Sequence, residues 1–354
     1  MKRIVFLLAT MASTFGGYAQ KSKATDAAIY LRDYNDTKDA ESLKHAKESI
    51  DIASEHIDTK DNPEVLITKG KVYLALYEES KKAMEATLSS VKDEQQRALQ
   101  VYESTPTSDL ATAYQAYEKA KQLDVKNKFS DDYKVLDYIG MSFDYSGRAK
   151  FNAQKYKEAL IEFERAYTIN NKDTTVLYLC AVSADYSENY PRAKEYYNKM
   201  IETKQAKANN YLSLVNIYYS LKDTASAIET LKKGRVAYPA NTNILTMLVN
   251  HYLKINKGEE VLTDLNTSIN STPNDANLYL LRGNVYDNIA SKIKDSKDSV
   301  SLKNYSNYIQ SAEKDYLKVI ASDSSNFYAL FNLGVLYFNK CVLLNNKAND
   351  ITDI

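Results

Sequence analysis

A period of 34 residues constrains this 354-residue chain more than any other feature of its sequence. One column of small or short apolar residues recurs at this interval: Ala159, Ala193, Ala227 and Val261. A column of bulky residues follows it four positions later: Phe163, Tyr197, Leu231 and Leu265. Because residues i and i+4 lie on the same face of an α-helix, each repeat contains a helix with a small and a large side chain on one face.

An earlier pair of columns predicts another helix in each repeat. Small or short residues stand at Ala181, Val215, Val249 and Gly283. Small or aromatic residues follow three positions later at Ala184, Tyr218, Tyr252 and Tyr286. A small side chain at a helix crossing lets the backbones approach, and a ring fills the remaining space. The chain has only 9 glycines and 5 prolines, too few for the frequent turns of an all-β fold. We therefore predict an all-α fold built from helix pairs.

These columns resemble the tetratricopeptide repeat family. The family's glycine in the first helix of a repeat is matched by Gly140, Gly283 and Gly334, and its first-helix aromatic by Tyr73, Phe143, Tyr218, Tyr252, Tyr286 and Tyr337. Its second-helix alanine is matched by Ala46, Ala113, Ala159, Ala193, Ala227 and Ala312. The family's tryptophan position holds Leu66, Leu136, Leu177, Tyr211, Leu245, Tyr279 and Leu330. The resemblance implies an α-solenoid, a right-handed superhelix of helix pairs, with about seven and a half repeats over residues 20–354.

Three repeats are longer than the others. In a regular repeat the first-helix small residue and the second-helix alanine are 12 residues apart, as Val215 and Ala227 are. The corresponding separations are 43, 19 and 29 residues after Gly70, Gly140 and Gly283. The inserted residues read as helix extensions. They predict extended hairpins near residues 74–109, 144–155 and 287–308 that protrude from one edge of the solenoid.

The first 19 residues have the three parts of a secretory signal peptide. Lys2 and Arg3 precede an apolar run, and the small-residue motif ending at Ala19 predicts cleavage there. The ending Tyr18-Ala19-Gln20 resembles exported proteins of the Bacteroidota. We expect an exported protein in the periplasm or associated with the cell envelope. The alternative is a buried N-terminal helix. We count no second long apolar run, so no membrane insertion of the mature chain is expected.

Few residues suggest catalysis or metal binding. Lys and Arg number 46, as do Asp and Glu, so no positive field indicates nucleic acid. His45, His56 and His251 lack the spacing of a metal pair, and no nucleophile motif is visible. Cys180 and Cys341 lie on apolar helix faces several repeats apart, so two buried free thiols are expected. We predict no cofactor, no metal and no enzymatic activity.

Asparagine forms two columns with the same period. Asn216, Asn250 and Asn284 follow the small first-helix residues, and Asn209, Asn243 and Asn277 precede them by seven positions. The family resemblance places both columns on the concave groove, where an amide suits a peptide backbone. Tyr178 and Tyr219 would hold peptide side chains beside them. The alternatives are helix caps for the column that begins at Asn209 and a solvated, non-functional surface for the other.

The function that fits these features is a non-catalytic scaffold that holds a protein or peptide partner in the groove. The alternative is a structural module that self-associates through its ends or protruding hairpins. The last predicted helix leaves an exposed apolar stripe at Val335, Phe338, Val342, Leu343 and Leu344. Either the natural chain continues, or this end docks on another chain, including a second copy.

Overall fold

The computed structural model describes residues 22–294 and 299–352. These residues form α-helices joined by short connections, with no β-strand among them. The predicted all-α fold of helix pairs is therefore confirmed, whereas the predicted leader, residues 1–19, lies outside the described residues. The helices are α1 (22–37), α2 (Ala40–Glu55), α3 (Pro63–Thr87), α4 (Glu94–Ser104), α5 (Ser108–Leu123), α6 (Val135–Asn152), α7 (Tyr156–Ile169), α8 (Thr174–Tyr186), α9 (Tyr190–Glu202), α10 (Ala208–Ser220), α11 (Thr224–Ala237), α12 (Thr242–Lys254), α13 (Leu262–Ser271), α14 (Ala276–Ile293), α15 (Ser299–Ser322) and α16 (Phe327–Thr352).

The chain divides into two compact units, and the boundary lies within α9, between Tyr196 and Tyr197. In the first unit, α3 packs against α2 and α5, and α7 packs between α6 and α8. In the second unit, the pairs are α10 with α11 and α14 with α15, and α12 contacts α10, α11 and α14. These contacts join helices that are adjacent in sequence or separated by one helix, as a repeat array requires.

The periodic columns form the cores of these helix pairs. Ala159, Ala193, Ala227 and Val261 have no exposed surface, and each bulky partner four residues later is at most 1% exposed. The small residues bring the helix backbones together, and the large ones fill the space around them. The 34-residue spacing of these columns therefore arises from helix packing, which is the same in each repeat.

The longest insertion is only partly a helix extension. The first helix of this repeat, α3, continues to Thr87, but residues 94–104 form the separate helix α4. The Asp93 carboxylate accepts a hydrogen bond from the Gln96 amide at 2.8 Å and caps this new helix. The α4 helix packs on α6, where the Ser146 hydroxyl donates to the Tyr102 carbonyl at 3.2 Å. In the other two insertions, α6 continues to Asn152, and α14 and α15 are longer than the regular helices.

A further feature recurs every 34 residues, a positive backbone φ angle, and it is visible only in the structure. Four residues with φ between 58° and 63° end the first helices of successive repeats: Gln154, Glu188, Lys222 and Asn256. After α10, the Lys222 amide donates to the Tyr219 carbonyl at 3.0 Å, and the Asp223 amide donates to the Tyr218 carbonyl at 2.9 Å. This pair of bonds is the Schellman motif, which usually places glycine in the left-handed position. The four side chains differ, so the sequence gives no sign of this column.

Replacing Lys222 with glycine should raise the free energy of unfolding by about 0.5–1 kcal/mol. A non-glycine residue in the left-handed region costs about 1–2 kcal/mol, and the extra entropy of glycine in the unfolded chain offsets part of the gain. The exposed Lys222 side chain has little packing to lose. Urea unfolding followed by circular dichroism would measure the change. Asn256→Gly is the control with a smaller expected gain, because asparagine tolerates this conformation; a destabilised Lys222→Gly would refute the argument.

The last helix, α16, corrects two expectations. Residues 327–345 have a mean hydropathy of 1.5 and are long and apolar enough to span a membrane, by length and composition only, so the count of no second apolar run is wrong. Only 17% of this segment is buried. Cys180 is buried as expected, but Cys341 is exposed, because no described helix covers its side of α16.

Candidate functional site

The asparagine columns lie on adjacent first helices of the second unit. Helix α12 contacts both α10 and α14, so the three helices form a row. Asn216 on α10 and Asn250 on α12 are exposed. Asn209, Asn243 and Asn277 are also exposed, and each is the second residue of its helix. Seven residues are about two helical turns, so the two columns share one face of α10 and of α12.

Other residues cap these three helices. The Asn210 side chain accepts from the Lys207 amide at 2.6 Å, and that of Asn241 accepts from the Ile244 amide at 3.0 Å. The Asp275 carboxylate accepts from the Asn277 amide at 3.0 Å. The side chains that form these capping bonds are Asn210, Asn241 and Asp275. The side chains of Asn209, Asn243 and Asn277 are exposed and can contact a partner.

Asn284 has a structural role. Its side-chain oxygen accepts a hydrogen bond from the Tyr316 hydroxyl at 3.0 Å and another from the Asn332 amide group at 2.8 Å. These bonds join α14 to α15 and α16. The expected open groove position is therefore not free at Asn284, because α15 and α16 bring polar partners onto its side chain.

The two tyrosines assigned to the groove occupy different environments. Tyr178 lies on α8 of the first unit and is 43% exposed. Tyr219 lies on α10, is half-buried and stacks on His251 of α12, with ring centroids 6.4 Å apart. Its hydroxyl is 3.5 Å from His251 Nδ1. Burial raises the pKa of the Tyr219 phenol above its ordinary value, so the hydroxyl remains protonated over a wide pH range.

His251 is a buried residue whose environment the sequence does not reveal. Only 5% of it is exposed, and its Nε2 has no hydrogen-bond partner among the described residues. Burial lowers the pKa of the imidazole below its usual range, and the nearby Lys254 ammonium lowers it further. The neutral form is therefore favoured, and His251 packs as an aromatic ring against Tyr219 and Tyr252.

We expect the protein to lose stability as the pH falls through the ordinary histidine pKa near 6.5. The His251 pKa is lower in the folded state, so the unfolded chain takes up this proton first, and protonation pulls the equilibrium towards unfolding. The stabilisation is complete above that pH and declines below it. Urea unfolding of the parent and of His251→Leu between pH 5 and 8 would test this. Their difference in unfolding free energy should change with pH, and parallel profiles would contradict the assignment.

The face around the exposed asparagines is almost free of charge. Its half-buried side chains are Leu212 and Ser213 on α10 and Thr246 and Met247 on α12. Leu212, Thr246 and Leu280 recur at the 34-residue period on the same three helices, and none of them carries a charge. The surface thus offers amide donors and acceptors beside small apolar patches, and this chemistry suits an uncharged polypeptide backbone.

No known family profile matches the chain, and no curated relative matches it. Several solved structures are similar. The C-terminal part of a tetratricopeptide repeat-containing protein from Cytophaga hutchinsonii is 14% identical over 88% of this chain and 99% of its own, with a TM-score of 0.41. A repeat protein from Bacteroides fragilis is 16% identical over 56% of this chain and 97% of its own, with a TM-score of 0.39. A tetratricopeptide repeat protein from Parabacteroides merdae is 14% identical over 89% of this chain and 99% of its own, with a TM-score of 0.30.

All three structures are described as proteins with these repeats. Their identities and TM-scores are low, so the repeat architecture of this chain rests on its own helix pairs and buried 34-residue columns.

Proposed function

We propose that this protein is a non-catalytic, exported scaffold of the cell envelope that holds an extended protein or peptide partner. The observation that carries the proposal is the row of exposed asparagines on adjacent helices, above all Asn216 and Asn250. Repeated amides at a regular spacing suit the regular spacing of backbone groups in an extended chain. The predicted leader at residues 1–19 supports the location outside the cytoplasm.

In this proposal the partner lies on the exposed asparagine face of α10 and α12, which the sequence assigns to the concave groove. Asn209 and Asn243 extend the polar surface towards the helix starts, and Tyr219 lies at its other end. Asn277 continues the column on α14. Asn284 forms part of the same surface, but its side-chain oxygen already accepts hydrogen bonds from Tyr316 and Asn332. Tyr178 remains a proposed contact of the first unit. Self-association through the C-terminal end is the alternative, and it requires a concentration-dependent dimer.

The double substitution Asn216→Ala and Asn250→Ala should weaken peptide binding about 5- to 150-fold. Each lost amide hydrogen bond contributes about 0.5–1.5 kcal/mol, so the pair contributes about 1–3 kcal/mol. The probe is a peptide selected from a random display library on the protein lacking residues 1–19, and fluorescence anisotropy measures its affinity. Both side chains are exposed, so the helix content should not change.

Asn270→Ala is the matched control. This asparagine is also exposed, but it lies on α13, the second helix of its repeat, and outside the asparagine columns. Its affinity for the selected peptide should equal that of the parent. Equal affinity in the folded double variant would reject the asparagine face as the binding site.

A further inference from the structure

One side of α16 presents an apolar face that no described helix covers. The residues on this side recur at helical spacing, and the accessible fraction reaches 58% at Phe331 and 68% at Phe338. The opposite side is packed on α15 and α14, with Leu333 and Leu336 buried in a common core with Tyr316. We call the first side the α16 acceptor face, and it consists of Leu330, Phe331, Gly334, Tyr337, Phe338, Cys341 and Val342.

The first-helix glycines of this chain show that a side chain of the following second helix covers such a face; at Gly140 it is Ile169 of α7, 3.3 Å from the Cβ position. A Cβ atom built on Gly70 of α3 would lie 2.5 Å from the Tyr117 ring of α5, and one built on Gly283 of α14 would lie 2.7 Å from the Tyr316 ring of α15. In both pairs a ring of the second helix rests directly on the glycine of the first. Gly334 occupies the same position in its repeat, yet no atom of another described helix lies within 4 Å of the corresponding Cβ position.

The two covering helices share a simple pattern around the ring. Ala113 precedes Tyr117 by four residues, and Ala312 precedes Tyr316 by four residues; both alanines have no exposed surface. The pair lies on one helical face, with the alanine at the close backbone crossing and the tyrosine over the glycine. A helix that covers α16 in the same way as these two has a small residue and, one turn later, an aromatic ring on an apolar stripe.

We infer that the α16 acceptor face binds, in trans, an amphipathic α-helix of a partner protein that places an aromatic ring over Gly334. The face is continuous with the core formed by Ile309, Ala312, Tyr316 and Leu333, so the partner helix extends an existing helix–helix interface. The second helices α5 and α15 of another copy do not supply this helix, because they are already packed and Tyr117 and Tyr316 are buried. The competing occupant is the α16 of a second copy, in which the exposed Phe338 follows Gly334 by four residues.

Contacts on α16 favour a protein helix over a lipid bilayer. The Asn332 side chain donates to Asn284 at 2.8 Å, and the Tyr337 hydroxyl donates to Glu313 at 2.8 Å. The Lys340 ammonium lies 3.9 Å from the same carboxylate. Insertion into a membrane would break these bonds and carry an amide and an ammonium into hydrocarbon, whereas a docked helix leaves them in place.

The test uses a peptide with the sequence of residues 108–123, SDLATAYQAYEKAKQL, with blocked ends and a fluorescent label. In the intact chain this sequence covers Gly70, whose site is occupied, so the added peptide should bind at Gly334. Saturable binding by fluorescence anisotropy is expected. Replacing the peptide tyrosine that corresponds to Tyr117 by alanine should weaken it at least about tenfold, since the ring is the buried anchor.

Two variants of the protein locate the site. Gly334→Leu fills the notch, and Phe338→Glu places a charge on the acceptor face, so each should lower the affinity at least about tenfold. The double variant Asn216→Ala, Asn250→Ala should bind this peptide as the parent does, which separates this surface from the asparagine face. Circular dichroism on every variant verifies that the fold is retained.

Cysteine alkylation supplies an independent measurement. Cys341 is exposed on the acceptor face, whereas Cys180 is buried and serves as the internal reference. Bound peptide should slow the alkylation of Cys341 by a maleimide in proportion to occupancy. Absence of saturable binding, or binding indifferent to Gly334→Leu, would overturn the inference.

Two other occupants would also overturn it. Protection of Cys341 without peptide in a concentration-dependent dimer would assign the face to a second copy. Protection by phosphatidylcholine–phosphatidylglycerol vesicles, together with loss of peptide binding, would assign it to a membrane surface.

Discussion

Replacing Glu162 with alanine should lower the free energy of unfolding by about 3–5 kcal/mol, because it leaves the Lys150 ammonium buried without its partner. The Glu162 and Lys150 side chains are 4% and 10% exposed, and Lys150 Nζ lies 2.7 Å from Glu162 Oε1. The Thr107 hydroxyl donates to the same oxygen at 2.7 Å. One carboxylate therefore joins the start of α5 to α6 and α7. Urea unfolding followed by circular dichroism would measure the loss.

An exposed pair with the same geometry provides the control. Lys233 Nζ lies 2.7 Å from Glu229 Oε1, but these side chains are 60% and 68% exposed. Water screens this pair and solvates either partner alone, so Glu229→Ala should cost less than about 1 kcal/mol. If the two substitutions had similar effects, burial would not be the reason for the importance of Glu162.

A second variant separates the lost charge from the lost packing. The double substitution Lys150→Met and Glu162→Leu removes both charges and keeps most of the volume, so it should recover most of the stability lost in Glu162→Ala. Thr107 loses an acceptor in both variants, and this part of the loss should persist. A double variant as unstable as Glu162→Ala would show that the charged network itself, including the Arg165 bond to Glu162 at 3.2 Å, is required.

The sequence predicted the features that follow from helix packing. The alanine and aromatic columns identify the core because every repeat packs on its neighbour in the same way, as Ala193 and Tyr197 show. Helix α4 breaks that logic, since it lies in an insertion outside the period. Its start depends on a local signal, the Asp93 cap, that the periodic pattern does not contain.

The candidate site was predictable in part for the same reason. Asn216 and Asn250 lie on exposed faces because they follow the small residues of regular repeats. The bond from the Tyr316 hydroxyl to Asn284 and the bond from Asn332 span 32 and 48 residues and depend on the long helix α15. Contacts made by an irregular repeat are not periodic, so a column of identical residues gives no indication of them. The exposure of Cys341 has a related cause, because an apolar helix face is buried only when another helix covers it.

Replacing Gly283 with leucine should lower the free energy of unfolding by about 3 kcal/mol or more. Even a single Cβ atom would meet Tyr316 ring atoms at 2.7, 3.0 and 3.3 Å. That ring is 1% exposed, and its hydroxyl is held by Asn284, so it cannot swing away without breaking the bond and opening the core. The better helix propensity of leucine, about 0.8 kcal/mol, offsets only a small part.

Gly334→Leu is the same substitution at the same position of a repeat, but no aromatic ring of a described helix covers this glycine. The gain in helix propensity should then dominate, so the stability should stay constant or rise by up to about 0.8 kcal/mol. Urea unfolding of both variants in parallel gives the comparison, since the chemical change is identical and only the covering helix differs. A loss at Gly334 as large as at Gly283 would mean that its side of α16 is already covered in solution. If Gly283→Leu lost little unfolding free energy, the Tyr316 ring would be free to move, and the close contact would not require a glycine at this position.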